Sequence, residues 1–449
     1  MSNPMQDNRQ YVIEGGRKLE GTVTVQSAKN AISKQLIASL LTDEPCIFTN
    51  VPRITEIHAI LDMLGETGTH HEWLDETTLA VQTPTITSTT VSQKYSGFNR
   101  SPILMLGPLL QRAGESTVPF LGGCEIGPRP VNFHTAALEA MGAKIIINKA
   151  GYVATATSAS GRLHGTTINL PYPSVGATEN TLTTATLAEG TTVITNAAIE
   201  PEVIDTILFL QKMGALIQVD TDRRIIIEGV PKLHGATHHA VPDRMEAASY
   251  AAAAIATDGR ITVRNARQAD MITFLNSLRR TGGSFEIDEK GITFFRTGAS
   301  LHPAHIETDV HPGFMTDWQQ PFVVLLTQAD GVSVIHETVY ENRFGYTETL
   351  RAMGADIDLT TACLGGKPCR FANKDHLHSC IVRGPSKLHG ASVDIPDLRA
   401  GFAYVIAALV AEGESRISGL RYIERGYANL PKKLEAIGAS IKVTGDSTA

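Results

Sequence analysis

Apolar helical stretches that stop at a glycine and run straight into alternating strands recur along the whole chain. In "AASYAAAAIATDGRITVRNA" a run of small apolar residues meets Gly259, and "RITVRNA" then alternates β-branched with polar residues. The glycine predicts a helix C-terminus, and the period of two predicts a strand with one buried face. The same exit recurs as "AEGTTVITNA" from 188, "ADGVSVIHET" from 329 and "AEGESRISGL" from 411, with "TDEPCIFTNV" from 42 and "RAGESTVPFL" from 112 as looser versions.

A second pattern runs in phase with the first. "ETGTHHEW", "AMGAKIIIN", "KMGALIQVD", "RTGGSFEID", "AMGADIDL" and "AIGASIKV" place Gly68, Gly142, Gly214, Gly282, Gly354 and Gly438 between a helix and a strand, with gaps of 74, 72, 68, 72 and 84 residues. A third element, "KLEGTVTV", "RLHGTTINL", "KLHGATHHAV" and "KLHGASVDI", recurs less completely. Repeats at a fixed period that are too small to bury a core alone must stack on one another. Six units predict an α/β protein of two groups of three. The phase places one domain at 1–28 plus 242–449 and the other at 29–241. The last gap is longer by about a dozen residues, and the excess falls near "CLGGKPCRFANKDHLHSC", residues 363–380.

Composition narrows the function classes. The chain has 449 residues, a net charge of −7 and no apolar run of the length that a membrane span needs. An acidic protein of this kind is a poor nucleic-acid binder, so anion recognition must rest on a local cluster of cations. The first residues, "MSNPMQDNRQYVIEGG", hold no apolar signal region, which predicts a cytosolic protein. Five scattered cysteines in such a chain argue against a disulfide framework. The spacing Cys363, Cys369, His376, His378, Cys380 matches no compact ligand pattern, so the segment is read as a surface hairpin with buried or free thiols. No metal or cofactor is expected.

Candidate chemistry gathers at short polar motifs. "FLGGCEIGPRPVNFH" sets one thiol, Cys124, among glycines, with no P-loop or dinucleotide-binding pattern around it. "VQSAKNAISK", "FNRSPILMLGP", "PYPSVGATEN", "HPGFMTDWQQPF", "ETVYENRFGY", "DIPDLRAGFAY" and "IERGYANL" each break apolar surroundings. Lys29, Arg100, Arg129, Arg343, Arg399 and Arg425 among them could enclose an anion with more than one acidic group.

At these residues the chain resembles the enolpyruvyl transferases, in particular the branch whose acceptor is UDP-N-acetylglucosamine. "AKNA", "LGPL", "GGCEIGPRPV", "SVGATEN", "AEGTTVITNAAIEPEVID", "ETVYENRF", "DLRAG" and "ERGY" stand in that family's order from Tyr11 to Val443. The resemblance implies two inside-out α/β barrel domains built from six βαβαββ repeats, with the active site in the interdomain cleft. It further implies transfer of enolpyruvyl from phosphoenolpyruvate to the sugar 3′-hydroxyl, the first committed step of peptidoglycan synthesis. Cys124 would be a general acid on a loop that closes over the substrates, and Asp317 the carboxylate that handles the hydroxyl proton. Lys29, Arg129 and Arg425 would face the phosphate, Arg343 and Arg399 the carboxylate. Asn30 would touch the sugar with Arg100 nearby, and Asp397 would be a further polar residue of the cleft. Uridine and diphosphate would meet Arg129, Pro130, Val131, Asn132 and Phe133, then Tyr172, Pro173, Ser174 and Val175, and also Val339.

Four positions depart from the common pattern: Ser27 replaces a glycine, Asn132 an aspartate, Tyr172 a lysine and Leu104 a tryptophan. Two alternatives follow, a paralogue acting on another uridine nucleotide and a catalytically idle binding protein. The shikimate-type enzyme of the same fold lacks the cysteine lid, so Cys124 speaks against it.

Overall fold

The computed structural model describes residues 7–122, 130–298 and 300–445. These form two compact units, one running to Gln26 and resuming at Pro242, the other spanning Ser27 to Val241. Ser27 and Ala28 pair inside the second unit: Ser27 N–H donates to the Asn50 carbonyl (3.0 Å) and Ala28 N–H to that of Val241 (2.7 Å).

The strands of the described residues form six small sheets, five of four strands and one of three. Their plan repeats. In one, the hairpin Leu216–Asp220 and Arg224–Glu228 lies antiparallel to Thr191–Thr195, which in turn pairs in parallel with Thr167–Asn169. The third sequence element is this parallel strand: Thr237–His239 lies beside Cys46–Thr49, Glu20–Thr24 beside Arg260–Arg264, and Ser392–Asp394 beside Glu414–Ser418. The fifth sheet uses His305–Glu307, from "LHPAHIE", a variant of the element that the repeat pattern does not reveal. In the three-stranded sheet a single parallel bridge from Thr90 to Thr117 stands in the same place. In the remaining sheet the antiparallel pair Gln10–Glu14 and Ser440–Thr444, far apart in sequence, takes the hairpin's place.

Helices fill the inside of each unit. All thirteen residues of Arg244–Ala256 are buried, as are nearly all of Thr316–Leu326 and Leu398–Val410, and these three pack on one another. A helix that is apolar on every side has no face to offer water, so the centre is where it must go. In the other unit Lys29–Ala38, Leu106–Ala113 and Val175–Ala185 are buried in the same way. Strands cover the helices, and outward positions such as Ile147, Leu216 and Val332 remain exposed. No helix among the described residues is long and apolar enough to cross a membrane.

All six repeat glycines adopt positive φ, between +85° and +106°. At Gly354 an added Cβ would also lie 2.8 Å from the Lys387 carbonyl oxygen, so the position excludes a side chain twice over. The 12-residue excess lies in the hairpin between Asp356–Thr360 and Ser379–Gly384, where the other repeats turn in two to five residues. Gly354→Ala should cost about 1–3 kcal/mol and lower the thermal midpoint by several degrees. Gly345→Ala, at a site with negative φ and open space, should leave it unchanged. Equal midpoints in calorimetry would refute the strained-turn reading.

Candidate active site

In the unit that resumes at Pro242, the central helices bring charge to their N-termini. Asp397 caps Leu398–Val410, its Oδ1 accepting from Arg399 N–H (2.9 Å) and Ala400 N–H (3.2 Å). Asp243 caps Arg244–Ala256 in the same manner. Asp317 is the second residue of Thr316–Leu326, where a carboxylate complements the helix dipole. Its Oδ1 accepts from Arg343 Nη2 at 2.5 Å and its Oδ2 from Arg399 Nε at 3.2 Å. Both guanidinium side chains are nearly inaccessible, at 2% and 7%, whereas Asp317 keeps 20% of its side chain open. Arg399 Nη1 also donates to the Tyr427 hydroxyl (2.8 Å), and Gln320, with its amide oxygen turned to Arg343, accepts from Nε at 2.7 Å.

Burial opposes the charge on both arginines. On Arg343 it is outweighed by Asp317, then Asp397 and Glu337, and the net shift is upward. On Arg399 it is outweighed by Tyr427 and Asp317. Burial pushes the Tyr427 phenol up to about 12, so it stays neutral. The result is two permanently charged, desolvated guanidinium groups sharing one half-open carboxylate. Such a pair can hold a second anion strongly, because little water competes for it.

Glu337 was not among the expected residues. Wholly buried, it accepts from Thr316 Oγ1 (2.9 Å), Gln319 Nε2 (3.0 Å), and the backbone N–H groups of Val339 (2.8 Å) and Tyr340 (3.1 Å). It thereby sets the turn that carries Val339 and leads to Arg343. Arg425 lies between Leu420–Ile423 and Leu430–Glu435, half-buried, in the same unit.

In the Ser27–Val241 unit, Lys29 and Asn30 open the helix Lys29–Ala38. A lysine in a first turn opposes the helix dipole, so local stability does not explain it. Its Nζ lies 3.3 Å from Glu56 Oε1, a buried carboxylate that also accepts from Asn99 Nδ2 (3.3 Å) and Ser101 Oγ (3.4 Å). Glu56 thus ties Lys29 to the two residues flanking Arg100. As an acidic residue in the first turn of Thr55–Glu66, it reads in sequence as ordinary dipole compensation. Val131, Asn132 and Phe133 start the helix Asn132–Ala140, with Pro130 and Asn132 exposed. Ser174 caps Val175–Ala185 through Ala177 N–H (3.4 Å), and Tyr172 and Pro173 precede it, half-buried. Ser27 places its hydroxyl 3.4 Å from the Ala240 carbonyl oxygen. Cys124 and Arg129 lie outside the described residues.

The sequence profile of EPSP synthase (3-phosphoshikimate 1-carboxyvinyltransferase) matches residues 13–434. A protein of Protochlamydia amoebophila named UDP-N-acetylglucosamine 1-carboxyvinyltransferase is 51% identical, covering 96% of this chain and 93% of its own. Proteins of the same name from Chlamydia muridarum and Zymomonas mobilis are 47% and 41% identical, over 95% and 96% of this chain and 97% and 99% of theirs. The chain belongs to the EPSP synthase family. Its fold is that of the enolpyruvyl transferases: NikO from Streptomyces tendae superposes with a TM-score of 0.84 at 22% identity, covering 97% of this chain and 99% of its own. EPSP synthase from Acinetobacter baumannii superposes with a TM-score of 0.76 at 18% identity, covering 98% and 100%.

Two further buried groups in this family member meet at the helix Val175–Ala185: Glu179 is part of it, and His134 faces it from Asn132–Ala140. His134 is pushed down to about 3 by burial and by the neighbouring Arg100 charge, so it is neutral, with Nδ1 facing Asn180 Nδ2 at 3.3 Å. Glu179 is pushed up to about 7 by burial, with Glu202 and Glu200 adding and Lys34 (3.7 Å) opposing. Because the folded state holds this proton more tightly than the usual value of 4.5, the associated stability is present below that pH. It is lost as pH rises through about 7, by roughly 3 kcal/mol in all. Glu179→Gln removes the titration. The melting temperature of the variant relative to wild type should therefore climb between pH 5 and 8. A difference that stays flat would show that Glu179 ionises normally.

Proposed function

We propose that the protein transfers the enolpyruvyl group of phosphoenolpyruvate to the 3′-hydroxyl of UDP-N-acetylglucosamine and releases phosphate, a step of peptidoglycan synthesis. The observation that carries this reading is the half-open Asp317 carboxylate held between the buried guanidinium groups of Arg343 and Arg399. Full-length relatives bearing that name support it.

The chemistry divides among the residues as follows. A proton delivered to C3 of phosphoenolpyruvate makes C2 electrophilic, and the sugar oxygen adds there as it loses its own proton. Expulsion of phosphate with loss of a C3 proton then restores the double bond. Cys124 is assigned as the acid and Asp317 as the group that receives the hydroxyl proton. Arg343 and Arg399 hold the substrate carboxylate, which takes over part of the contact that Asp317 now makes. Lys29, Arg129 and Arg425 hold the phosphate, where negative charge grows as the C–O bond breaks. Asn30 and Arg100 orient the sugar. The residues from Arg129 to Phe133, from Tyr172 to Val175, and Val339 receive the uridine diphosphate. Asp397 acts through the helix that it caps, by fixing the backbone of Arg399.

Phosphate release from phosphoenolpyruvate should require UDP-N-acetylglucosamine in a panel that also holds UMP, UDP-glucose and shikimate 3-phosphate. A different preferred acceptor would overturn the substrate assignment. Asp317→Ala should reduce turnover by about 10²-fold or more while sugar-nucleotide binding stays measurable by calorimetry. Turnover near wild type would remove Asp317 from the mechanism.

Fosfomycin joins a phosphonate to an epoxide, so a phosphate site beside the thiol should direct ring opening to it. Mass spectrometry should find the adduct on Cys124 alone, and faster when UDP-N-acetylglucosamine is present. Adducts spread over the other four cysteines, or no acceleration, would count against a substrate-gated thiol.

A further inference from the structure

The hairpin excursion of the fifth repeat brings together side chains that lie far apart in sequence. His336, at the end of the strand Gly331–His336, meets Cys363, Cys369 and His378 of the excursion, and one potential ligand atom from each lies within 4.8 Å of all the others. Local spacing hides this set, because its fourth member comes from the strand, 27 residues before Cys363. His376 and Cys380, close in sequence, are not members.

Hydrogen bonds fix the tautomers of both imidazoles. His378 Nδ1 lies 2.7 Å from the His376 carbonyl oxygen, which can only accept, so Nδ1 carries the proton. Its Nε2 lone pair then faces Cys363 Sγ at 3.2 Å. Ser379 Oγ donates to the Ala362 carbonyl (2.7 Å), which leaves it to accept from His336 Nδ1 (2.8 Å). His336 Nε2 is consequently a bare acceptor, on a side chain with no exposed surface and without a hydrogen-bond partner. A buried lone pair of this kind is costly unless something takes it.

We propose that His336, Cys363, Cys369 and His378 form a structural metal site for a zinc-class divalent cation. Two thiolates and two imidazole nitrogens are the donor set of a closed tetrahedral site, and both histidines already have the outer hydrogen bond that such ligands need. Ligand atoms around tetrahedral zinc stand about 3.3–3.8 Å apart, so small side-chain rotations suffice to close the cluster. Binding displaces the thiol protons, and the ion then takes one electron pair from each ligand. Phe371 N–H donates to Cys369 Sγ (3.3 Å), and its buried ring packs on His378 at 5.7 Å, which shields one side. Gly365 lets the chain cross His336, since a Cβ there would fall 2.3 Å from the imidazole Cδ2.

The site would staple the excursion to its sheet. From the excursion Arg370 reaches back to the Val339 carbonyl and to Glu341 (3.2 Å), so the staple also steadies the turn shaped by Glu337.

The test uses the full chain, purified without chelator. Elemental analysis should find about one zinc per chain. After stripping, Co²⁺ alone should restore a tetrahedral visible spectrum with thiolate charge-transfer absorption, saturating at one equivalent. Zn²⁺ should raise the melting temperature and slow the reaction of two thiols with Ellman's reagent. Cys363→Ser and Cys369→Ser should each weaken Co²⁺ binding at least tenfold, while Cys46→Ser leaves it unchanged. An octahedral cobalt spectrum, no metal retained against a competing chromophoric chelator, or a Cys363–Cys369 disulfide in the freshly isolated protein would each overturn the proposal. The first two readouts need no variant, so a substitution that fails to fold cannot mask the answer.

Discussion

The parallel pairing of Thr237–His239 with Cys46–Thr49, and its counterparts in the other sheets, is the contact on which the architecture rests. Each repeat makes a helix, a strand and a hairpin by local contacts, and the parallel strand pairs with the edge that the hairpin does not cover. In two of the sheets the closing strand comes from a distant place in the chain: Thr237 pairs with Ile47 and Glu20 with Arg260, whereas Thr167–Asn169, His305–Glu307 and Ser392–Asp394 shortly precede the strands they join. Loop closure over such distances is entropically unfavourable, and is offset only when the strands and the helices beneath them bury apolar surface together. The repeats therefore stand or fall as sets.

Filling the centre with helices has an electrostatic consequence. Buried helix N-termini expose N–H groups that water cannot reach, and Asp243 and Asp397 satisfy them. Once carboxylates are fixed there, arginines can be buried beside them. Asp317, Arg343 and Arg399 are stable because each offsets the desolvation of the others. The arrangement that could bind an anionic substrate is thus an extension of the capping that a helix-centred fold already needs.

Much of this was legible in the chain itself. The glycines Gly68 to Gly438 marked six helix-to-strand turns, and positive φ at every one shows why glycine stands there. The "KLHG" element marked four parallel strands, but not His305–Glu307, where Pro303 replaces the glycine, nor the single bridge at Thr90. Lys29, Arg343 and Arg399 stood out in the sequence because charge beside apolar residues is costly and conspicuous, and Asp317 came from the family resemblance. Glu56 and Glu337 were not, since a carboxylate in a first helical turn or after a strand looks like solvent-facing polarity until its partners are known. The Cys/His cluster escaped for a geometric reason: a ligand supplied by a neighbouring strand leaves no trace in local spacing.

The hydrogen bond from Ala28 to Val241, a peptide away from that between Asp243 N–H and the Gln26 carbonyl (2.8 Å), has an architectural consequence. It makes the middle of the chain a module whose entry and exit are adjacent. Such a module can be lengthened, replaced or cut out without rethreading its host, because the host's own ends are held together by Gln26 and Asp243. Joining residue 26 to residue 242 by a short splice, and closing 27–241 on itself as a ring, would yield two separate folding units from one gene.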